Sequence, residues 1–219
     1  DFKDTPELIE QTQNKSYICK VLTVKSIANN TLPYKSNKFL PPMKLVAVDT
    51  PALVNTFFEM PVNLYRDDSN WIQPLQTDVE AVFDPKQNKH LLQAEVMRWL
   101  VFNHQQQPVG RVAAFTGHKQ HGKEGEPVGA IGFFECINDQ GTANILFDAA
   151  KDWLVKFGIE GIDGPVNFGE RDRWWGLLID GFLPPSYCMN YNPPYYRQLF
   201  ETYGFKIYFK QYTFYRQIA

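Results

Sequence analysis

Cysteine is scarce in this chain: among 219 residues only Cys19, Cys136 and Cys188 occur, and no two of them form a Cys-x-x-Cys pair. An odd, scattered set of thiols argues against a disulfide scaffold or a cysteine-based structural zinc site, and it fits a reducing compartment. Charge of one sign is missing as well. The 22 Lys and Arg against 24 Asp and Glu leave a formal net charge of −2, so no basic surface for nucleic acid or an anionic membrane is expected. No run approaches the roughly 18 unbroken apolar residues of a membrane span, and the N-terminus carries no signal-peptide pattern. The expected location is therefore the cytoplasm. Gly-x-Ser-x-Gly, a phosphate loop closing in Gly-Lys-Ser/Thr, and His-Glu-x-x-His do not occur. The usual signals of serine hydrolases, nucleotide hydrolases and zinc proteases are thus missing. His118 and His121 sit in a polar turn, "GHKQHGKEGEP", and His90 and His104 stand alone. No metal is expected.

What the chain has instead is aromatic volume, 15% of its residues, enough to fill a core and line a cleft. Residues 1–41 are polar, hold one expected strand around Tyr17–Val24, and read as an N-terminal extension or accessory segment. Residues 42–219 read as one domain. "KLVAVD" is a short β-rich run, followed by a helix with Thr50 as N-cap and Pro51 at its first position. "VMRWLVFNHQQQPVGRVAAF" reads as a hairpin around a polar turn. "GAIGFFECI" is apolar on both alternating faces, with Ile131, Phe133, Glu135 and Ile137 on one and Gly132, Phe134 and Cys136 on the other. Such a strand belongs in the centre of a sheet, covered on both sides. A helix with Ile145, Leu146, Ala149, Trp153, Leu154 and Phe157 at helical spacing follows, and Gly158 closes it. Then come the strand "IEGIDGPV", a loop of some twenty residues, a helix ending at Gly204, and an alternating tail. The order is that of an α/β (α+β) layer on a mixed sheet.

This order, with a helix behind a central strand and a late helix closing in an aromatic-Gly-Phe turn, resembles the GNAT acyltransferase superfamily from roughly Lys44 to Tyr215. "GFFECINDQG", "GIDGPVNFG", "GLLIDGF" and "YNPPYY" are similar to a bacterial branch of it. The resemblance implies a mainly antiparallel sheet flanked by helices and splayed between its fourth and fifth strands. It also implies an acetyl- or other acyl-coenzyme A donor and a small-molecule or peptide amine acceptor, hence an N-acyltransferase. In that superfamily the donor's diphosphate rests on backbone amides at the N-terminus of the helix after the fourth strand, where N–H groups and a positive dipole end meet an anion. The matching stretch supplies Cys136, Ile137, Asn138, Gln140, Gly141, Thr142 and Ala143. The loop has a single glycine and an acidic Asp139. Many members also carry a tyrosine acid four residues before the glycine of the closing turn; here that position is Phe200, which has no proton to give.

The residues suggest where the chemistry falls. Transfer to an amine needs a base, a group to polarise the carbonyl, and an acid for the departing sulfur. Glu135 is the candidate base, in competition with a buried ion pair to Arg111 or Arg98. Backbone amides around Cys136–Asn138 are the candidate carbonyl donors. Tyr196, one helical turn before Phe200, and Tyr195 are the candidate acids, against the alternative that their rings simply pack the helix onto the sheet. Arg171, Arg173, Trp174 and Trp175 in the long loop are expected to form a lid or an acceptor-binding wall, against the alternative that Trp174 and Trp175 fold back on the core, and Tyr191 is expected at the cleft mouth. In "YNPPYY", Asn192 is expected to cap the helix that the two prolines introduce. Two other functions remain open: a non-catalytic module binding a metabolite or protein, and a transferase taking its donor from a charged RNA, against which the missing basic surface speaks.

Overall fold

A computed structural model describes residues 16–25, 43–117, 127–168 and 173–214. In chain order the elements are β1 (Ser16–Lys25), β2 (Lys44–Ala47), α1 (Pro51–Leu64), α2 (Gln76–Phe83), β3 (Val96–Phe102) and β4 (Pro108–Phe115). They continue with β5 (Val128–Cys136), α3 (Gln140–Val155), β6 (Gly161–Gly164), β7 (Leu177–Asp180), α4 (Tyr196–Tyr203) and β8 (Lys206–Phe214). The strands form one sheet in the order β2-β3-β4-β5-β6-β1-β7, with β8 on the other edge of β1. Every pairing is antiparallel except β5 with β6. The mixed, mainly antiparallel sheet with helices on both faces is therefore the observed architecture.

Local chemistry sets the elements. The Thr50 hydroxyl accepts from the Leu53 amide at 3.3 Å and Pro51 opens α1. The β3–β4 turn is tied by the Asn103 side chain, which accepts from the amides of Gln105 and Gln107 at 2.9 Å each. Gly158, at φ +72°, ends the turn after α3. The strand expected near Tyr17–Val24 forms as β1, so the N-terminal segment contributes a strand between β6 and β8. Two readings are corrected. The stretch expected to be one long loop contains β7, which pairs with β1, and Asn192 does not cap α4. Its side chain lies against β7 instead, accepting from the Leu178 amide at 2.8 Å and donating to the Leu178 carbonyl at 3.1 Å.

Two cores sandwich the sheet. Val112, Ala114, Ile131, Phe134 and Cys136 face α3 and α4, packing on Leu146, Phe147 and Phe200. Leu100, Ala113, Phe115, Ala130 and Phe133 face α1 and α2, packing on Phe57 and Met60. The strict alternation expected for β5 is broken, because Ile131 and Phe133 lie in different cores. The β4–β5 register slips by one residue between Ala113↔Gly132 and Arg111↔Glu135, and Phe133 sits at φ +49°. This is a β-bulge, in which one extra residue reverses the facing of the residues after it. The Phe133 amide, turned out of the ladder, donates to Asn167 Oδ1 at 2.7 Å.

The bulge also marks where two strands part. β5 pairs with β6 over Val128–Ala130 and Gly161–Asp163, a last backbone bond joins the Val166 amide to the Ile131 carbonyl at 2.7 Å, and the ladder ends there. These are the fourth and fifth strands counted from "KLVAVD", where the splay is expected. Gly132 lies under the crossing segment, and a Cβ there would meet the Val166 carbonyl oxygen at 2.1 Å and Asn167 Oδ1 at 2.3 Å. Because a backbone atom is the obstacle, Gly132→Ala is expected to cost at least the usual 1–3 kcal/mol, roughly, of an overpacked site. Urea unfolding monitored by tryptophan fluorescence measures it.

Candidate functional site

A cavity of about 120 Å³ opens where β5 and β6 part. Glu135, Arg111, Tyr196, Trp174 and Asn167 line it with Phe133 and Phe134. The bulge turns Glu135 onto the α1 face of the sheet, opposite Arg111 on β4. Both side chains are nearly enclosed, 13% and 9% exposed. Tyr65, at the C-terminus of α1, and Tyr196, from α4 on the other face, each donate to Glu135 Oε2 at 2.8 Å. Two phenols from opposite faces reach one oxygen because the sheet is open there. Glu135 Oε1 stands 3.6 Å from Arg111 Nη2, and Arg111 Nη1 donates to the Phe57 carbonyl at 2.6 Å. Of the two cations expected to compete for Glu135, Arg111 is the neighbour. Arg98 lies over the Phe83 ring, 4.5 Å from its centroid.

The electrostatics follow from burial. Desolvation raises the Glu135 carboxyl above its ordinary range, against the opposing pull of Arg111 and the two hydroxyls. Desolvation, then the Glu135 charge, pushes both Tyr65 and Tyr196 well above the usual phenol range, so they remain protonated donors. Burial lowers the Arg111 guanidinium, partly restored by Glu135. A carboxyl with a raised pKa beside protonated phenols has the form of a proton-transfer site.

The remaining sequence candidates divide. Tyr196 also accepts from the Cys136 amide at 2.7 Å, while Tyr195 donates to the Cys136 carbonyl at 2.8 Å. Tyr195 is thus bound to backbone, away from Glu135. The Ile137 amide donates to the Val109 carbonyl at 3.0 Å, so the amides of Cys136 and Ile137 already have partners. At the start of α3, Asp139 caps the helix, accepting from the Thr142 amide at 2.6 Å and the Thr142 hydroxyl at 2.8 Å. The Ala143 amide bonds the Asp139 carbonyl at 3.1 Å. Gln140 donates its side-chain amide to Asn144 and to the Leu199 carbonyl. Of this stretch, the Gln140 and Gly141 amides lie in the first helical turn, where no intrahelical acceptor exists.

Trp174 and Tyr191 line the cavity, and the Tyr191 hydroxyl donates to Asp68 at 2.7 Å. Arg173 is exposed and borders a separate cavity of about 310 Å³ that shares Asn167 and Trp174 with the first. Trp175 packs against the α1-side core. Arg171, His118 and His121 lie outside the described residues. Among the described residues no group of three or more His, Cys, Asp or Glu is placed to hold a metal. Among them, too, no helix is long and apolar enough to cross a membrane.

The chain is 32% identical over 165 residues to the protein named bacterial ceramide synthase of Caulobacter vibrioides (strain NA1000 / CB15N), covering 74% of this chain and 42% of that protein. It is 31% identical over 156 residues to protein YghO of Escherichia coli (strain K12), covering 69% and 38%. The chain thus spans about two fifths of the length of the curated relatives it matches. No protein-family model matches it. A crystal structure of a functionally unknown conserved protein from Staphylococcus epidermidis ATCC 12228 superposes with a TM-score of 0.45 at 8% identity, covering 96% of this chain and 67% of that one.

Sequence reasoning missed Tyr65 and the part played by Asn167. Tyr65 follows α1 in "NLYRDDSNW", a polar stretch without a motif, and its ring is fixed by stacking on Trp71 at 4.8 Å. The one available signal was a large aromatic directly after a helix end.

Glu135 also gives the site a pH signature. The folded protein holds its proton more tightly than the unfolded chain, so this group's contribution is present below the ordinary carboxylate pKa and lost as pH rises through the folded value. Glu135→Gln, neutral throughout, is expected to gain stability relative to wild type across that window. The gain approaches about 1.4 kcal/mol per pH unit at its steepest, and urea titrations at stepped pH follow it.

Proposed function

We propose that this chain carries the acyl-transfer site of a GNAT-type N-acyltransferase, which moves an acyl group from an acyl-coenzyme A thioester to the amine of a long-chain amino alcohol. The observation that carries the reading is Glu135, an enclosed carboxylate in the cavity at the splay, with one oxygen held by two phenols and the other turned toward Arg111. The relative's name agrees with it, since a ceramide is the fatty amide of such an amino alcohol. The aromatic and apolar part of the lining, which includes Phe58, Pro61, Trp71, Ile72 and Met189, suits a chain-bearing substrate.

In this reading Glu135 takes a proton from the amine as nitrogen adds to the thioester carbonyl carbon. The C–N bond forms, the C–S bond breaks, and the thiolate needs one proton. Tyr196 supplies it and recovers a proton from the Glu135 carboxyl, whose Oε2 it contacts at 2.8 Å, so one proton leaves the amine and one reaches sulfur. Tyr195, bound to the Cys136 carbonyl, serves as a fixed wall of the same site.

The donor's diphosphate fits the start of α3 less well, because the Asp139 carboxylate already holds the Thr142 amide. The Gln140 and Gly141 amides are the remaining contacts for a phosphate there. Asp139→Asn keeps a good N-cap and removes the charge. It is expected to tighten acyl-coenzyme A binding about 2- to 5-fold, the size of a charge at a helix terminus, measured by calorimetry. Unchanged affinity would move the donor away from this helix.

The decisive assay incubates the protein with palmitoyl-coenzyme A and a long-chain amino alcohol, following amide by mass spectrometry and free thiol by colour. Wild type is expected to form amide, and Glu135→Gln to lower kcat roughly 10²- to 10⁴-fold. Absence of amide with the wild-type protein would defeat the reading. One observation favours a non-catalytic binding module instead: Tyr195 and Tyr196 occupy both backbone groups of Cys136, where an extended donor could pair. Ligand binding in the cavity without amide formation is the outcome that selects it.

A further inference from the structure

The polar groups of the cavity floor are mostly spoken for inside the protein. Asn167 holds the Phe133 amide and donates to the Trp174 carbonyl. Asn192 holds both backbone groups of Leu178, and Tyr196 bonds Glu135 and the Cys136 amide. Glu135 Oε2 has two donors. Two groups stand apart from this pattern. Glu135 Oε1 faces Arg111 at 3.6 Å, well beyond the roughly 2.7–2.9 Å of a charge-assisted bond. Arg111, 7% exposed and lining the cavity, spends one donor on the Phe57 carbonyl, and its buried Nε has no hydrogen-bond partner.

A guanidinium has five N–H donors in a rigid fork, and burying one with donors unspent is costly unless something else accepts them. A polar pair held slightly too far apart to bond directly can be bridged by a ligand lying alongside it, with one polar atom on each partner. Phe57, whose ring lies 4.8 Å from the guanidinium carbon, and the Phe57 carbonyl hold the fork in place. It therefore presents a fixed donor to a ligand oxygen, not a mobile charge.

We infer that Arg111 and Glu135 together read an oxygen on the carbon next to the acceptor's amine. The amine nitrogen donates to Glu135 Oε1 and the neighbouring oxygen accepts from the Arg111 fork, so the site selects 1,2-amino alcohols over plain alkylamines. This rests on the acyl-transfer reading for the identity of the amine as acceptor. It adds to that reading a specificity-determining residue and a chemical rule for the head group. A gauche N–C–C–O unit spans the two side chains, and a primary or secondary alkylamine leaves the fork unsatisfied. Sites built to hydrogen-bond a substrate oxygen discriminate strongly against the analogue that lacks it, because their own buried donors are then left unpaired.

The test compares 2-aminooctan-1-ol with octan-2-amine, which differ only in the hydroxyl, by calorimetric titration of the full chain. The amino alcohol is expected to bind about 10- to 100-fold more tightly, and Arg111→Gln to bring the two within about 3-fold by weakening the amino alcohol alone. Where Arg111→Gln fails to fold, Arg111→Lys, which keeps a cation beside Glu135 but not the fork, is read in its place and is expected to lose most of the preference. Equal binding of the two ligands by wild type, or binding of neither at millimolar concentration, overturns the inference. So does a preference that survives in the Arg111 variant. The two readings fail separately: a preference for the amino alcohol without amide formation leaves the head-group site and removes the transferase, whereas amide formation on both amines at equal rates does the reverse.

Discussion

One hydrogen bond sets the geometry on which the site depends. The Phe133 amide leaves the β ladder and is taken by Asn167 Oδ1, which holds a bulky residue at φ +49° in the middle of a central strand. A left-handed phenylalanine costs on the order of 1–2 kcal/mol, and an amide without an acceptor in that interior would cost a comparable amount again. The Asn167 side chain offsets the second cost, and the burial of the Phe133 ring between Phe57, Phe83 and Trp174 offsets the first. The consequences are mechanical. The extra residue turns Glu135 toward Arg111 and Tyr65, and the same asparagine keeps the Pro165–Asn167 segment from continuing the ladder.

The parting of β5 and β6 is then closed from both sides by aromatic hydroxyls instead of by apolar side chains. Tyr196 joins the Glu135 carboxylate to the Cys136 amide, and Tyr195 takes the Cys136 carbonyl. The end of β5 therefore exchanges hydrogen bonds with α4 in place of a neighbouring strand. Because Phe200 and Leu199 are anchored among Phe134, Phe147 and Phe205, α4 is a rigid support that fixes the position of these hydroxyls.

Local signals were legible and distant ones were not. The Thr50–Pro51 start of α1 and the Gly158 stop are each written in one or two residues, and both are present in the fold; the hairpin is legible too, but the Asn103 side chain that ties its turn is not. The core strand "GAIGFFEC" is also legible as central. Its facing is not, because the slip is imposed by Asn167, 34 residues away in sequence, and alternation carries no trace of it. Glu135 stands out in the sequence for a reason only half right: alternation places it with Ile131, yet it lies on the opposite face from that residue and beside Arg111. Tyr65 needs the tertiary fold, since nothing in "NLYRDD" indicates that its hydroxyl will meet a carboxylate 70 residues on. Asn192 shows the opposite error. A residue type with a strong local habit, capping, is claimed by a strand with two unpaired backbone groups, which offers it two bonds instead of one.

The composition of the site argues that it is there for a ligand. Stability alone gives no reason to place an arginine, a glutamate and two phenols inside a shell of phenylalanines, since replacing a buried ion pair by apolar residues of similar volume is often neutral or favourable. Here desolvation outweighs pairing at Glu135, whose pKa is raised despite the adjacent guanidinium, and the 3.6 Å gap forgoes the close contact that would best repay both charges. A pair arranged for stability would close that gap and satisfy Arg111 Nε. Arg111 is held by the Phe57 carbonyl and Glu135 by two tyrosines, so the two charges stay fixed at the cavity wall without closing on each other.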